Sequence, residues 1–397
     1  MMNYRAECLT PVLVSDGASL SPIDYMVWKD QVNVLDQRKI FQLLAKGPRL
    51  DGYLNQVKRA QKLDFASWGG FAQNFAGRRI AFEHTSIAPH WERQPAEECH
   101  IPTFARTHEG PYLPGSSLRG ALRTALVSAR LDERVIHRFN ETMTGEWPPR
   151  RPGDALEQRA LGNEGGRGGW DPLKAFGVSD SRAVASSSTK VYLVRVASLS
   201  ESRDPKTQTA RPYSLVWKQA RGGSVDARRV DDSTLVFAEM ASPGSVFDGS
   251  WTERAFYRRG EIRHVLRWRD VDLRKTMLEA ANAFAAGLLA EHRRFAAAAG
   301  LPGLDASLTR LESFLAEAQA AGNRCLLNIG WGGGLLGKAA WPVLAPGAEE
   351  SHRRILAAQA VWARGIRTGM PFPKTRRVVF LQGQPAVLAG WVSLTIL

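Results

Sequence analysis

Apolar and polar positions alternate along the first part of the chain. Residues 3–14 read as a strand. Asp24 to Trp28 and Gln31 to Leu35 read as a hairpin about Lys29-Asp30, because side chains two apart share one face of a strand. A helix follows, with Asp36 placed to cap it, Ile40, Leu43 and Leu44 as its apolar side, and Gly47-Pro48 as its stop. A more polar helix is expected over 52–63, and strand-like segments near 78–86 and 99–106. From Ser116 the period changes to that of a helix. Leu118, Ala121, Leu122, Ala125, Leu126 and Ala129 form one stripe, and Arg119, Arg123, Arg130 and Arg134 form another. The stretch 141–170 is rich in Pro and Gly and reads as a loop holding one short helix.

The second half repeats this order. Strands are expected at 189–199, 234–240 and 245–251, with a polar, basic, turn-rich stretch at 200–233 between them. An Ala-rich helix covers about 270–299 and a second covers about 306–321. A strand at 324–329 runs into a glycine-rich loop, 330–337, followed by a helix at 349–364 and strands at 375–381 and 386–396. Helices and strands mix without the regular spacing of βαβ units, which predicts an α+β class. The sequence strands, helix, strands occurs twice, which predicts two related modules, 1–178 and 179–397.

Composition narrows the partners. The chain has 397 residues, 44% of them apolar, so it can bury a substantial core. It carries 53 Lys+Arg against 39 Asp+Glu, a formal charge of +14, and 41 of those 53 cations are Arg. A polyanion is the expected partner, and Arg spread over the whole chain suits a long phosphate track better than one membrane-bound helix. A GC-rich genome using Arg in place of Lys accounts for the Arg share but not for the net charge. No stretch reaches the ~18 apolar residues of a membrane span. The start MMNYRAECLTPVLVSDG lacks the pattern of a secretory leader, which predicts a cytoplasmic protein. Three distant cysteines, Cys8, Cys99 and Cys325, make no disulfide framework.

Three segments carry candidate chemistry. In PYLPGSSLRGALRTAL (111–126), Ser116 or Ser117 can cap a helix whose start and nearby Arg favour an anion. In IGWGGGLLGKAAW (329–341), the glycines let backbone amides approach a ligand. The spacing is not that of a phosphate-binding Walker loop, and Ala339 follows Lys338 where Ser or Thr would be needed. In PFPKTRRVVF (371–380), Lys374, Arg376 and Arg377 crowd the start of a strand.

The first two segments resemble the RAMP superfamily of CRISPR RNA-binding proteins. Four others are LSPIDYMVWKDQVNVLD, DPLKAFGVSDS, PKTRRVVF and QPAVLAGWVSLTIL. They are similar to the family of fifth subunits of type III-A Csm complexes, stand in its order and span essentially the whole chain. The resemblance implies tandem ferredoxin-like, RRM-type modules with helical insertions. It also implies a subunit that caps the backbone filament near the crRNA 3′ end and supports crRNA maturation and antiviral defence. Carried over by residue, Ser116, Ser117, Arg119 and Arg123 would meet the guide backbone, together with Gly332, Gly333, Gly334 and Lys338, and with Lys374, Arg376 and Arg377. The stretch 200–218, with Arg203, Lys206, Arg211 and Tyr213, lies where related subunits carry a β-hairpin thumb that splays the guide–target duplex. Val14 in TPVLVSDGA departs from the family's usual His-Ile-Gly. Implied partners are crRNA, target RNA near the guide 3′ region, a neighbouring RAMP subunit and the small helical subunit, with no membrane and no cofactor.

Two enzyme readings stand beside this one. Asp24, in SPIDY, sits where backbone subunits of such complexes place the aspartate that cuts target RNA, and a His could serve as general acid or base. The residues His84, His90, Cys99, His100 and His108 match no standard zinc spacing. The expected function is therefore a non-catalytic RNA-binding and assembly subunit without a bound metal. The alternative is a RAMP-type ribonuclease that cuts target or precursor RNA with Asp24 or a His.

Overall fold

In strand β1 (Met2–Cys8), Tyr4, Ala6 and Cys8 are buried while Asn3, Arg5 and Glu7 face solvent, the two-residue period of a sheet covered on one side. The computed structural model describes residues 2–47, 49–59, 61–63, 75–147, 149–162, 171–201, 213–219, 227–265, 272–340 and 371–397.

The short strand β2 (Ser19–Leu20) follows, then the hairpin β3 (Tyr25–Trp28) and β4 (Gln31–Leu35), turning at Lys29 with φ 55°. Helix α1 (Gln37–Leu44) is capped by Asp36, whose carboxylate accepts from the Lys39 amide at 3.1 Å, and α2 (Leu50–Lys58) is shorter than expected. Strand β5 (Ala76–Ala81) joins the hairpin. Helix α3 (Ile87–Arg93) forms between the two segments read as strand, before β6 (Ile101–Pro102). Helix α4 (Gly115–Ala129) buries Leu118, Leu122, Ala125 and Leu126 of its expected stripe. Helix α5 (Glu133–Thr144) comes next and reaches into the stretch read as a loop, whose one short helix is α6 (Pro152–Leu161). Asp132 caps α5 through the Val135 amide, and Ile136, Phe139 and Met143 form its buried side.

Strands β7 (Phe176–Val178), β8 (Thr189–Glu201), β9 (Tyr213–Trp217), β10 (Leu235–Ala241) and β11 (Val246–Glu253) come next. After α7 (Gly260–Val265) come the long α8 (Leu273–Ala299) and then α9 (Pro302–Ala321). Strands β12 (Arg324–Asn328), β13 (Thr375–Leu381), β14 (Gln384–Leu388) and β15 (Trp391–Ile396) complete the chain. The last two replace a single expected strand because Gly390, at φ 98°, breaks it. The helix expected at 349–364 lies outside the described residues.

Two five-stranded antiparallel sheets organise the mixed α+β fold. One has the order β12-β15-β1-β11-β7, and the other runs β10-β8-β13-β14 with β9 on the free side of part of β8. Strand β1 thus lies between β15 and β11, so the line at residue 178 is not a break between sheets. β8 has no clean alternation because both its faces are covered: Val191, Leu193, Ala197 and Leu199 join one core and Tyr192 and Val194 the other. Trp251 and Trp391 are fully buried, Trp251 stacked on Phe176 at 4.8 Å. A smaller sheet, β3-β4-β5, has its own core of Met26, Leu35, Ile40, Leu44 and Tyr53. Among the described residues no helix is long and apolar enough to cross a membrane, and all three cysteines are buried and unpaired.

Candidate nucleic-acid interface

The glycine-rich loop and the basic strand, about 40 residues apart in sequence, meet in space. Both line a cavity of about 610 Å³, with Gly332, Gly333, Gly334 and Lys338 on one side and Arg376 and Arg377 on the other. The loop owes its shape to close approaches that exclude a side chain. A Cβ on Gly332 would lie 2.3 Å from the Ala389 Cβ, and one on Gly333 would lie 2.1 Å from Asn328 Oδ1. Asn328 is buried at the end of β12 and holds the opposite wall by donating to the Ala389 carbonyl at 3.2 Å. Val14, the departure from the family pattern, is buried against this loop.

The two arginines serve differently. Arg377 lies over the Trp331 ring, 4.2 Å from its centre, and donates to the Trp331 carbonyl at 2.9 Å. Arg376 is 6% exposed, stacks over Phe295 at 4.8 Å and donates through Nε to His292 Nδ1 at 2.9 Å. One of its nitrogens also donates to the Pro373 and Thr375 carbonyls. Burial lowers its pKa to about 10, against the opposing pull of Glu291. Lys338 and Lys374 are exposed near the mouth of the cavity and at the start of β13.

His292, on α8, was not foreseen. It accepts from Arg376, so its proton sits on Nε2, and burial followed by the Arg376 charge pushes its pKa well down. Below about pH 6.5 the unfolded chain takes up a proton that native His292 refuses, so stability falls as pH falls, by up to about 1.4 kcal/mol per pH unit. His292→Asn keeps an acceptor for Arg376 and removes the titration. The loss of urea midpoint between pH 7.5 and pH 5.5 should be smaller in that variant than in the parent.

The α4 segment is built otherwise than the sequence suggested. Ser116 and Ser117 do not cap it, because the helix starts at Gly115, whose amide donates to Asp180 Oδ1 at 2.8 Å. A Cβ at Gly115 would lie 2.4 Å from the carbonyls of Val178 and Ser179. DPLKAFGVSDS and PGSSLRGALRTAL are therefore two halves of one clasp. Asp171 caps its own turn through the Leu173 amide and takes Arg123 Nη1 at 2.5 Å, and Ser181 Oγ accepts from the Leu113 amide at 2.9 Å. Arg123 also pairs with Glu157, and these carboxylates outweigh burial to raise its pKa. Two carboxylates thus neutralise Arg123, which was expected to meet RNA. Arg119 donates to the Leu173 carbonyl at 3.0 Å, while Ser116 is exposed.

Of the thumb candidates, Arg203, Lys206 and Arg211 lie outside the described residues. The chain on either side is paired as a hairpin, with Glu201 of β8 opposite Tyr213 of β9. Asp24 closes a turn before β3, its carboxylate accepting from the Ser21 amide at 2.7 Å. Among the described residues no three His, Cys, Asp or Glu side chains are grouped to hold a metal.

The sequence profile of the RAMP superfamily matches residues 5–270, and the chain belongs to that superfamily. Its fold is similar to a chain in the cryo-EM structure of a Csm-crRNA-target RNA ternary complex of a type III-A CRISPR-Cas system, with TM-score 0.62 and 20% identity over 100% of both chains. It is also similar to the crystal structure of Csm5 from T. onnurineus, with TM-score 0.57 and 16% identity over 98% of this chain and 99% of that one. A search of curated proteins gives no match.

Proposed function

We propose that the chain is a non-catalytic, crRNA-binding assembly subunit of a type III-A Csm effector complex. In this reading it caps the backbone filament near the crRNA 3′ end and acts in the cytoplasm in antiviral defence. The observation that carries the reading is the meeting of the glycine-rich loop with Arg376, Arg377 and Lys338 in a RAMP chain of net charge +14. Its fold corresponds end to end to a chain of a Csm-crRNA-target RNA complex, which makes crRNA, target RNA, a neighbouring RAMP subunit and the small helical subunit the natural partners. The modules 1–178 and 179–397 would share their sheets, with β1 carried into the second.

Lys338, Lys374 and Arg377 are assigned to phosphates, with the amides of Gly332 to Gly334 beside them. Ser116, Ser117 and Arg119 are assigned a second backbone contact at α4. Arg123 holds the clasp beneath it, and Arg203, Lys206 and Arg211 belong to the hairpin thumb. Binding of the full chain to single-stranded guide RNA should show the division. Lys338→Ala with Arg377→Ala should flatten the salt slope by about 1.4 units, since each lost phosphate contact on a single strand removes about 0.7. Arg123→Ala should leave the slope unchanged. An unchanged slope in the double variant overturns the assignment, and failure of the chain to bind guide RNA or to copurify with it overturns the function.

A further inference from the structure

The cavity between the glycine-rich loop and β13 is larger and less polar than a phosphate contact needs. Its walls include Val196, Leu336, Phe372 and Leu388. Its volume falls in the range of sites that enclose small molecules of nucleoside size rather than a single anion. A phosphate drawn between those walls would lose its water to aliphatic carbon, with few donors in return.

Two buried polar atoms of the lining residues have no hydrogen-bond partner among the described residues, the acceptor Asn328 Oδ1, packed against Gly333 and Gly337, and the donor Arg376 Nη2. Arg376 Nη2 is buried and makes no hydrogen bond among the described residues, although Nε and Nη1 of the same guanidinium are bonded. A buried donor in this state awaits an acceptor. At the mouth stand the exposed Lys338 and the half-buried Arg377, the latter held over Trp331. An acceptor-bearing flat ring inside and an anion outside is the chemistry of one nucleotide.

We propose that this cavity takes one unstacked nucleobase of the bound RNA, its edge acceptor on Arg376 Nη2, one face against Leu388 on the same side of the sheet, and its phosphate at Lys338. The proposal rests on the RNA-binding function above. It adds a base pocket to a site otherwise read as gripping backbone alone. Arg376 Nη2 discriminates poorly among bases, since all four carry an edge acceptor, and Asn328 Oδ1 is walled in by Gly333 and Gly337, so the pocket fixes register rather than sequence.

An abasic walk tests it on the full chain. Single-stranded guide RNAs, each lacking one base at successive positions, are titrated by filter binding. One position should stand out with a loss of about tenfold, the scale of removing one stacked base. Val196→Trp fills the cavity at a half-buried position and removes no polar side chain, and Arg377→Ala is the control for any displacement of its cross-strand neighbour Arg377. Val196→Trp should weaken unmodified RNA by a similar factor and erase the sensitive position, with its thermal midpoint kept as the control for folding. A flat profile in RNA that still binds overturns the pocket but not the function, and so does a sensitive position that survives in Val196→Trp. The mononucleotides AMP and UMP are titrated by calorimetry as the other source of a base. Tight binding of either that Val196→Trp abolishes, together with a flat abasic profile, assigns the cavity to a free nucleotide and overturns the proposal. No binding of RNA at all overturns the functional reading instead.

Discussion

Glu239→Ala should cost about 3 kcal/mol of stability, read as a drop in the urea midpoint at pH 7. Glu239 is fully buried on β10, and both its oxygens accept from Arg78 Nη1, at 2.9 and 3.0 Å. Thr189 on β8 donates to the same carboxylate at 2.8 Å. Arg78 lies on β5, so this ion pair ties the small sheet to the second large one. Truncating the carboxylate strands a largely buried guanidinium, and the penalty for an unpaired buried charge exceeds what a well-made pair adds. A second cation worsens it. The pKa of Arg106 is lowered by burial and then by the Arg78 charge, with Glu239 opposing, so loss of Glu239 leaves the two arginines facing each other. Glu239→Gln keeps an acceptor for Thr189 and should lie between the parent and Ala. Replacing Arg78 and Glu239 together by Leu should restore most of the loss. A double variant as unstable as Glu239→Ala would show that shape, not the stranded charge, sets the cost.

That ion pair was invisible in the sequence, and the reason is general to this chain. Signals that act within one element were legible. The two-residue period of Tyr25–Trp28 and Gln31–Leu35 marked a hairpin, Asp36 marked a helix start, and the 3.6-residue stripe from Leu118 marked α4. α5 carried the same kind of signal, a capping Asp132 and apolar residues at 136, 139 and 143, but it was not read as a helix of its own, and the prolines and glycines that follow drew its last turn into the loop at 141–170. Pairings between distant segments left no local trace. Nothing in MNYRAEC says that it runs between residues 246–253 and 391–396.

The interface divides along the same line. Each basic or glycine-rich segment could be read alone, yet which cations remain available depends on contacts that only the fold supplies. Arg123 is consumed by Glu157 and Asp171, and the helix start at Gly115 by Asp180. Arg376 and Arg377, adjacent in the chain, go to a buried His292 and to Trp331. His292 was hidden inside an Ala-rich helix, where a polar residue ordinarily reads as part of the solvent face.

Gly330→Ala should cost about 4 kcal/mol and take the interface with it. Gly330 sits at φ 76° and ψ −159°, a region essentially closed to residues with a side chain, where strain alone is about 1–3 kcal/mol. Contact adds to strain. A Cβ there would lie 2.1 Å from the Leu13 carbonyl oxygen and 2.9 Å from its carbon. That carbonyl cannot give way, because it accepts from the Trp331 amide at 2.8 Å and Leu13 is fully buried; overpacking of this kind adds a further ~1–3 kcal/mol. Relief requires the loop to lift, which moves Trp331, releases Arg377 from its ring and opens the cavity wall at Gly332. Gly334→Ala separates the two costs. Gly334 has φ 60° but nothing within 4 Å of a built Cβ, so it should lose only the strain component. In denaturant unfolding the gap between the two variants measures the clash with Leu13. In guide-RNA titration Gly330→Ala should fall at least tenfold in affinity while Gly334→Ala stays near the parent, because only the first displaces the residues that face the RNA. Equal unfolding midpoints for the two would mean that the loop does not depend on its seat against Leu13.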